Sequence, residues 1–136
     1  MPFQWLTMRI GEEQDRRTRE HQILQRLPAA VDELRTELSG CVEEFNTTFG
    51  SDAARVQQSG MNLTVTCANS TVDVVGDTEL PGFHVLREGS SPLAVRVGIL
   101  PGDKLFYFDV AGDQYLSMEE LTKRILDRVL FPKLRD

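Results

Sequence analysis

Between Leu24 and Phe45 apolar residues recur at alternating steps of three and four: Leu24, Leu27, Val31, Leu34, Leu38, Cys41 and Phe45. That spacing puts them all on one face of an α-helix. A stripe of this kind has to be covered, by a sheet, by another helix or by a second copy of the chain. Pro28 interrupts the run. It removes one backbone donor and crowds the preceding turn, so a kink or two abutting helices are expected there. Upstream, Glu12 to Arg26 is almost wholly charged or polar and rich in helix-favouring Arg and Glu, and Gly50 is a suitable stop. The regular stretch spans only about three heptads, so packing on the chain's own sheet is expected ahead of a coiled coil.

The period then changes to two. Asn62-Leu63-Thr64-Val65-Thr66-Cys67 sets Leu63, Val65 and Cys67 on one face, and Leu93 to Ile99 does the same with Leu93, Val95, Val97 and Ile99. Strict alternation marks strands of an antiparallel sheet with one face in water. Further strands are expected at Ala54–Gln58, Thr71–Val75, Phe83–Glu88 and Lys104–Val110. Turn chemistry separates them at Ser59-Gly60, Asn69-Ser70, Pro81-Gly82, Gly89-Ser90-Ser91-Pro92 and Pro101-Gly102-Asp103. Links this short favour a meander. A last helix begins with the capping-box pair Ser117 and Glu120, carries Leu121, Ile125 and Val129 on one face, and stops at Pro132. The expected fold is therefore α+β, a two-layer sandwich formed by residues 1–136 as one domain. It has a long N-terminal helix kinked near Pro28, an antiparallel meander of about five or six strands, and a C-terminal helix. This order resembles that of small bacterial chaperone-like or adaptor modules, an analogy of architecture that does not fix function.

Composition narrows the function classes. Of 136 residues, 40% are hydrophobic and 26% charged, which suits a globular chain. The net charge of −6 is uneven: residues 29–120 hold five basic and fifteen acidic groups, residues 121–136 five basic and two acidic. An acidic middle repels phosphate, and no stretch interleaves Lys or Arg with aromatics, so nucleic acid is not an expected partner. Lys123, Arg124 and Arg128 are read as cations near the negative end of the last helix. No apolar run reaches the ~20 residues that cross a bilayer, and the start lacks the basic-then-apolar plan of a secretory signal. A cytoplasmic location is expected, with Cys41 and Cys67 reduced and buried and the sequons at Asn46, Asn62 and Asn69 unused.

Few constellations carry chemistry. Asp109 to Glu120 resembles the twelve-residue calcium loop of an EF-hand, with Asp109, Asp113, the Tyr115 carbonyl, Ser117 and Glu120 at ligand positions and Leu116 at the apolar eighth. The resemblance implies a calcium site there. Ala111 stands at the third ligand position, Gln114 where the family has Gly, and Lys104–Val110 reads as strand where the family has helix, so a strand, a turn and a capped helix are the expectation. No cofactor motif, zinc spacing or nucleophile elbow is present, and catalytic residues are not assigned. His84 is expected on the solvent face of the sheet near Thr64, Thr66, Asp73 and Arg96, a candidate face for a ligand or partner. Phe3, Trp5, Leu6, Met8 and Ile10 crowd the start. They are expected to fold back on the core, the other reading being a partner-docking segment anchored by Trp5. Three functions follow in order: a non-catalytic protein-binding or adaptor module, self-association included; a small-ligand binder or weak enzyme with a pocket near His84; and a single EF-hand-like calcium site.

Overall fold

The helix seam extends much further than its apolar stripe. In the computed structural model, which describes residues 3–102 and 104–132, α1 (Gln4–Phe49) is one helix of 46 residues, about 69 Å long. Pro28 sits inside it, so of the two expectations, a kinked helix and two abutting helices, the single helix is the one found. Its start lacks a side-chain cap: the Phe3 carbonyl accepts from the Leu6 and Thr7 amides, both at 3.1 Å. Its end is Gly50, at φ 120°, whose amide donates to the Asn46 carbonyl.

Seven strands follow: β1 (Ala54–Ser59), β2 (Asn62–Cys67), β3 (Ser70–Asp77), β4 (Gly82–Arg87), β5 (Leu93–Leu100), β6 (Lys104–Asp109) and β7 (Gln114–Leu116), then α2 (Met118–Leu130). They form one antiparallel sheet in sequential order. The strand beyond the expected five or six is β7, three residues that alternation cannot reveal at such length. It pairs Phe108 with Tyr115 and Tyr107 with Leu116. The Ser117 half of the capping box is present, its hydroxyl accepting from the Glu120 amide at 3.1 Å. Of the expected Pro101–Asp103 turn, Asp103 lies outside the described residues.

Both helices cover one face of the sheet, α1 against β1 and β5, α2 against β2, β3 and β7. The core joins Leu27, Leu34 and Leu38 of α1 to Leu63, Val65, Val72, Val74, Phe83, Val95 and Val97 of the sheet and Leu121 and Ile125 of α2. Asn46 ties helix to sheet, its amide clasping the Ala54 backbone by Nδ2 to the carbonyl (3.0 Å) and Oδ1 from the amide (2.8 Å). Tyr107, stacked 6.1 Å from Phe83, donates its hydroxyl to Glu33 on α1 at 3.2 Å. Among the described residues no helix is long and apolar enough to cross a membrane.

The sheet uses only part of α1. From Gln4 to Gln22 no residue is buried; Ile23 is the first side chain on α1 to pack against the core and Leu27 the first to be fully enclosed. About 28 Å of helix therefore projects beyond the sheet.

Candidate functional site

Strand alternation sends Thr64, Thr66, Asp73, His84 and Arg96 to the open face of the sheet, where they form separate small groups. Thr64 stands opposite Asp73 and donates to its Oδ1 at 2.8 Å. Thr66 faces Thr71. His84 lies between Val75 and Ala94, and its Nε2 is 2.6 Å from Asp77 Oδ2. Asp77 also accepts from the Glu79 and Leu80 amides, at 2.9 and 3.4 Å. Its pKa lies below the ordinary carboxylate value, chiefly through His84 and next through the Glu79 amide. The pair thus clamps the turn that joins β3 to β4. Arg96 donates to the Leu80 carbonyl at 3.3 Å and secures the same turn.

Farther along this face is a cluster that sequence reasoning passed over. Tyr115 is 71% exposed and meets Phe106 and Phe108 edge-on, with ring centroids 5.4 and 5.1 Å apart. Phe106 lies over Gly98, whose missing side chain makes the room: a Cβ there would stand 2.0 Å from the ring. The signal was the alternation Phe106, Phe108 within β6, which puts both rings opposite the core-facing Tyr107.

The loop resembling an EF-hand is entered by strand β6, not by a helix. Asp109, its first ligand position, is buried and already engaged, accepting from Arg124 Nη1 at 2.6 Å and from the Gly112 amide at 3.0 Å. Burial pushes its pKa up, but the Gly112 amide and Arg124 outweigh burial and hold it below the ordinary value. Among the described residues no group of three or more His, Cys, Asp or Glu side chains could hold a metal ion. The carboxylate that resembled a ligand is the partner of a structural cation.

Two hollows larger than the one at Arg128 and Val129 border α2. One, about 650 Å³, is framed by the β4–β5 loop and carries Arg87, Lys123, Arg124 and Arg128 against Glu120 and Asp127. Two of its cations are engaged by the protein itself: Arg124 holds Asp109, and Arg128 donates to Ser90 at 2.7 Å. The other, about 450 Å³, opens between the ends of α1 and α2, where Phe45 meets Phe49 at 4.7 Å and Phe131 at 5.6 Å. Cys41 lines it, its thiol pushed up by burial and by Glu37 and Glu44, which leaves a poor nucleophile. His84 lines neither hollow.

The projecting part of α1 is the strongest departure from what folding alone requires. Phe3 is 70% exposed, Trp5 64%, Met8 61% and Ile10 50%. The expected folding back of this segment onto the core does not occur. The helix continues through residues 9–20 on its own ion pairs: Arg9 with Glu12 at 3.2 Å, Glu13 with Arg16 at 2.8 Å and Arg17 at 3.0 Å, and Arg16 with Glu20. Arg16 and Arg17 hold the Glu13 carboxyl down to a pKa of about 2. These contacts run along the helix at spacings of three and four, and they leave its apolar end in water. Compared with protein-family models, curated proteins and solved structures, the chain finds no match in any of the three.

Proposed function

We propose that the chain is a non-catalytic protein-binding module whose contact element is the projecting N-terminal part of α1. One observation carries this reading: Phe3, at the N-cap, and Trp5, Met8 and Ile10, on the first turns of α1, are each at least half exposed where the sheet does not reach. Isolated apolar residues on a surface need no explanation, but several gathered on one helix end favour a partner. Trp5 is the anchor we assign, since indole combines a large apolar area with a polar edge. The cytoplasm is the proposed setting, where free Cys41 and Cys67 stay reduced. A small-ligand binder or weak enzyme near His84 ranks second; its support is the His84–Asp77 pair, which already serves a turn.

The test uses Phe3, Trp5 and Met8 together. If nothing in the same chain rests on them, replacing all three by Ser leaves Tm within about 2 °C. Trp5, the sole tryptophan, then also shows the emission and quenching of an indole in water when the chain is monomeric. A drop of many degrees, or a shielded indole in the monomer, means that the segment packs on its own domain and the reading falls.

A further inference from the structure

The stripe on α1 does not begin at Leu24. Continued backwards at the same alternation, it passes through Glu20, Arg17, Glu13, Ile10, Leu6 and Phe3. All of these lie on the one continuous helix, apart from Phe3, its N-terminal flanking residue. In spacing, the run from Phe3 to Leu27 is symmetric about Asp15. Phe3 and Leu6 at one end answer Leu27 and Leu24 at the other, and the acid Glu13 answers the base Arg17, whereas apolar Ile10 falls opposite Glu20.

We infer that two copies of the chain associate through this stripe as an antiparallel pair of helices centred on Asp15. The inference rests on the reading of the segment as a contact element; it places a second copy on the Phe3–Ile10 side and leaves the Trp5 side to another contact. In heptad terms Phe3, Ile10, Arg17 and Leu24 are a positions and Leu6, Glu13, Glu20 and Leu27 are d positions. An antiparallel pair then sets every a residue against a d residue of the second copy. Because the arrangement is two-fold, each layer occurs twice: Phe3 with Leu27, Leu6 with Leu24, Ile10 with Glu20, and Glu13 with Arg17. A parallel pair would instead stack Glu13 on Glu13, Arg17 on Arg17 and Glu20 on Glu20, three layers of like charge. Charge complementarity therefore selects both the occupant and its direction. Arg16 faces its own copy beside the axis, but Glu13 and Glu20 already clasp it within its own helix.

Space allows the pairing. At 100° per residue the stripe from Phe3 to Leu24 lies roughly 60° around α1 from the side buried against the sheet. Leu24 is accordingly half exposed and open to a neighbour, while Leu27 is enclosed by its own core. The second helix runs alongside for about 36 Å, and its Phe3 ends against the first copy's domain at the level of Leu27. Trp5 and Met8 lie on the far side of the helix and stay outside this seam.

Sedimentation of the full chain over a concentration series, up to about 200 μM, tests the pairing. The expected result is a monomer–dimer equilibrium. Glu13→Arg or Arg17→Glu alone turns two attractive layers into two repulsive ones and weakens association about tenfold. The two together restore the dimer. Far-UV circular dichroism of the monomers checks that each variant keeps its helix. Single reversals with unchanged affinity mean a parallel pair or another interface and overturn the inference. So does a monomer at every concentration: if its Trp5 is exposed, the contact element stands and its partner is another molecule, and if that monomer binds anionic vesicles, a lipid surface. A monomer with shielded Trp5 removes the contact element as well.

Discussion

Arg124→Met removes the cation paired with Asp109. The methionine keeps much of the apolar stem that Arg124 lays along α2, so the loss is chiefly electrostatic. Asp109 has 6% of its side chain exposed and Arg124 30%, and the pair closes at 2.6 Å. Breaking a fully buried pair costs 3–5 kcal/mol because an uncompensated charge stays behind. Here one partner is partly in water and the Gly112 amide still donates to Asp109, so the expected loss is about 2–3 kcal/mol. At about 2 cal/mol/K of unfolding entropy per residue, that lowers Tm by about 7–10 °C. Urea unfolding at pH 7 gives the free energy directly.

The pH dependence separates this cause from mere repacking. In the native chain the folded pKa of Asp109 lies below its ordinary value of 3.8. Its contribution to stability is thus present above that value and lost as pH falls through the lower, folded one. Arg124→Met deletes a lowering influence and leaves burial opposed by the Gly112 amide alone among the stronger causes, so the folded pKa rises above that of the native chain. The variant is then most disadvantaged near pH 7, and the gap narrows toward pH 4 as its buried carboxyl takes up a proton. A gap that stays constant from pH 7 to pH 4, or a loss under about 0.5 kcal/mol at pH 7, would refute the assignment of Asp109 and Arg124 as a structural pair.

Two further outcomes concern the open face and the helix. Gly98→Ala forces the Phe106 ring aside and is expected to cost about 1–3 kcal/mol, while Gly98→Ala with Phe106→Leu regains most of it; a double-mutant cycle without coupling rules out the close approach as the cause. The folded pKa of Glu13, about 2 against an ordinary 4.5, makes its pairs with Arg16 and Arg17 a stabilising feature above pH 4.5 that fades as pH falls toward 2. Far-UV ellipticity should decline over that window and decline less in Glu13→Gln; equal acid profiles for the two chains would place the helix's support elsewhere.

Alternation and seam made the architecture readable because each strand buries one face and α1 buries one stripe. Leu63, Val65, Val95 and Val97 point inward as their period requires, and all are core residues. The strand β7 escaped because three residues hold too little pattern, and the choice between a kink and two helices at Pro28 stayed open because a tertiary surface can hold a helix together across a missing donor. The sites were less legible. Which face His84 occupies followed from phase, but its partner Asp77 is on the neighbouring strand, two residues beyond the cross-strand position of His84, and spacing does not encode such diagonals. For the calcium-loop resemblance, Asp109 needed Arg124 fifteen residues away to show its role. The N-terminal segment was misplaced because burial was assumed for apolar residues, while its helical continuation depends on ion pairs between charged residues that sequence treats as generic surface.

Those ion pairs decide what the projecting helix can be. A free helical stretch of about 20 residues is marginal in water, and each exposed pair adds little. Yet α1 is seeded at its far end by a folded core, from Ile23 onward, so nucleation is already done and only propagation remains. Glu13, Arg16, Arg17 and Glu20 are enough for that task, and they leave the stripe with charges that require an opposite sequence of charges to meet them. A partner offering bare apolar surface would take Glu13 and Arg17 out of water with only their own helix's charges as partners, where a second copy adds an opposite charge across the seam. The same chain, reversed, presents Arg17 to Glu13 and Leu24 to Leu6, so the features that hold the helix out from its domain also describe what fits against it.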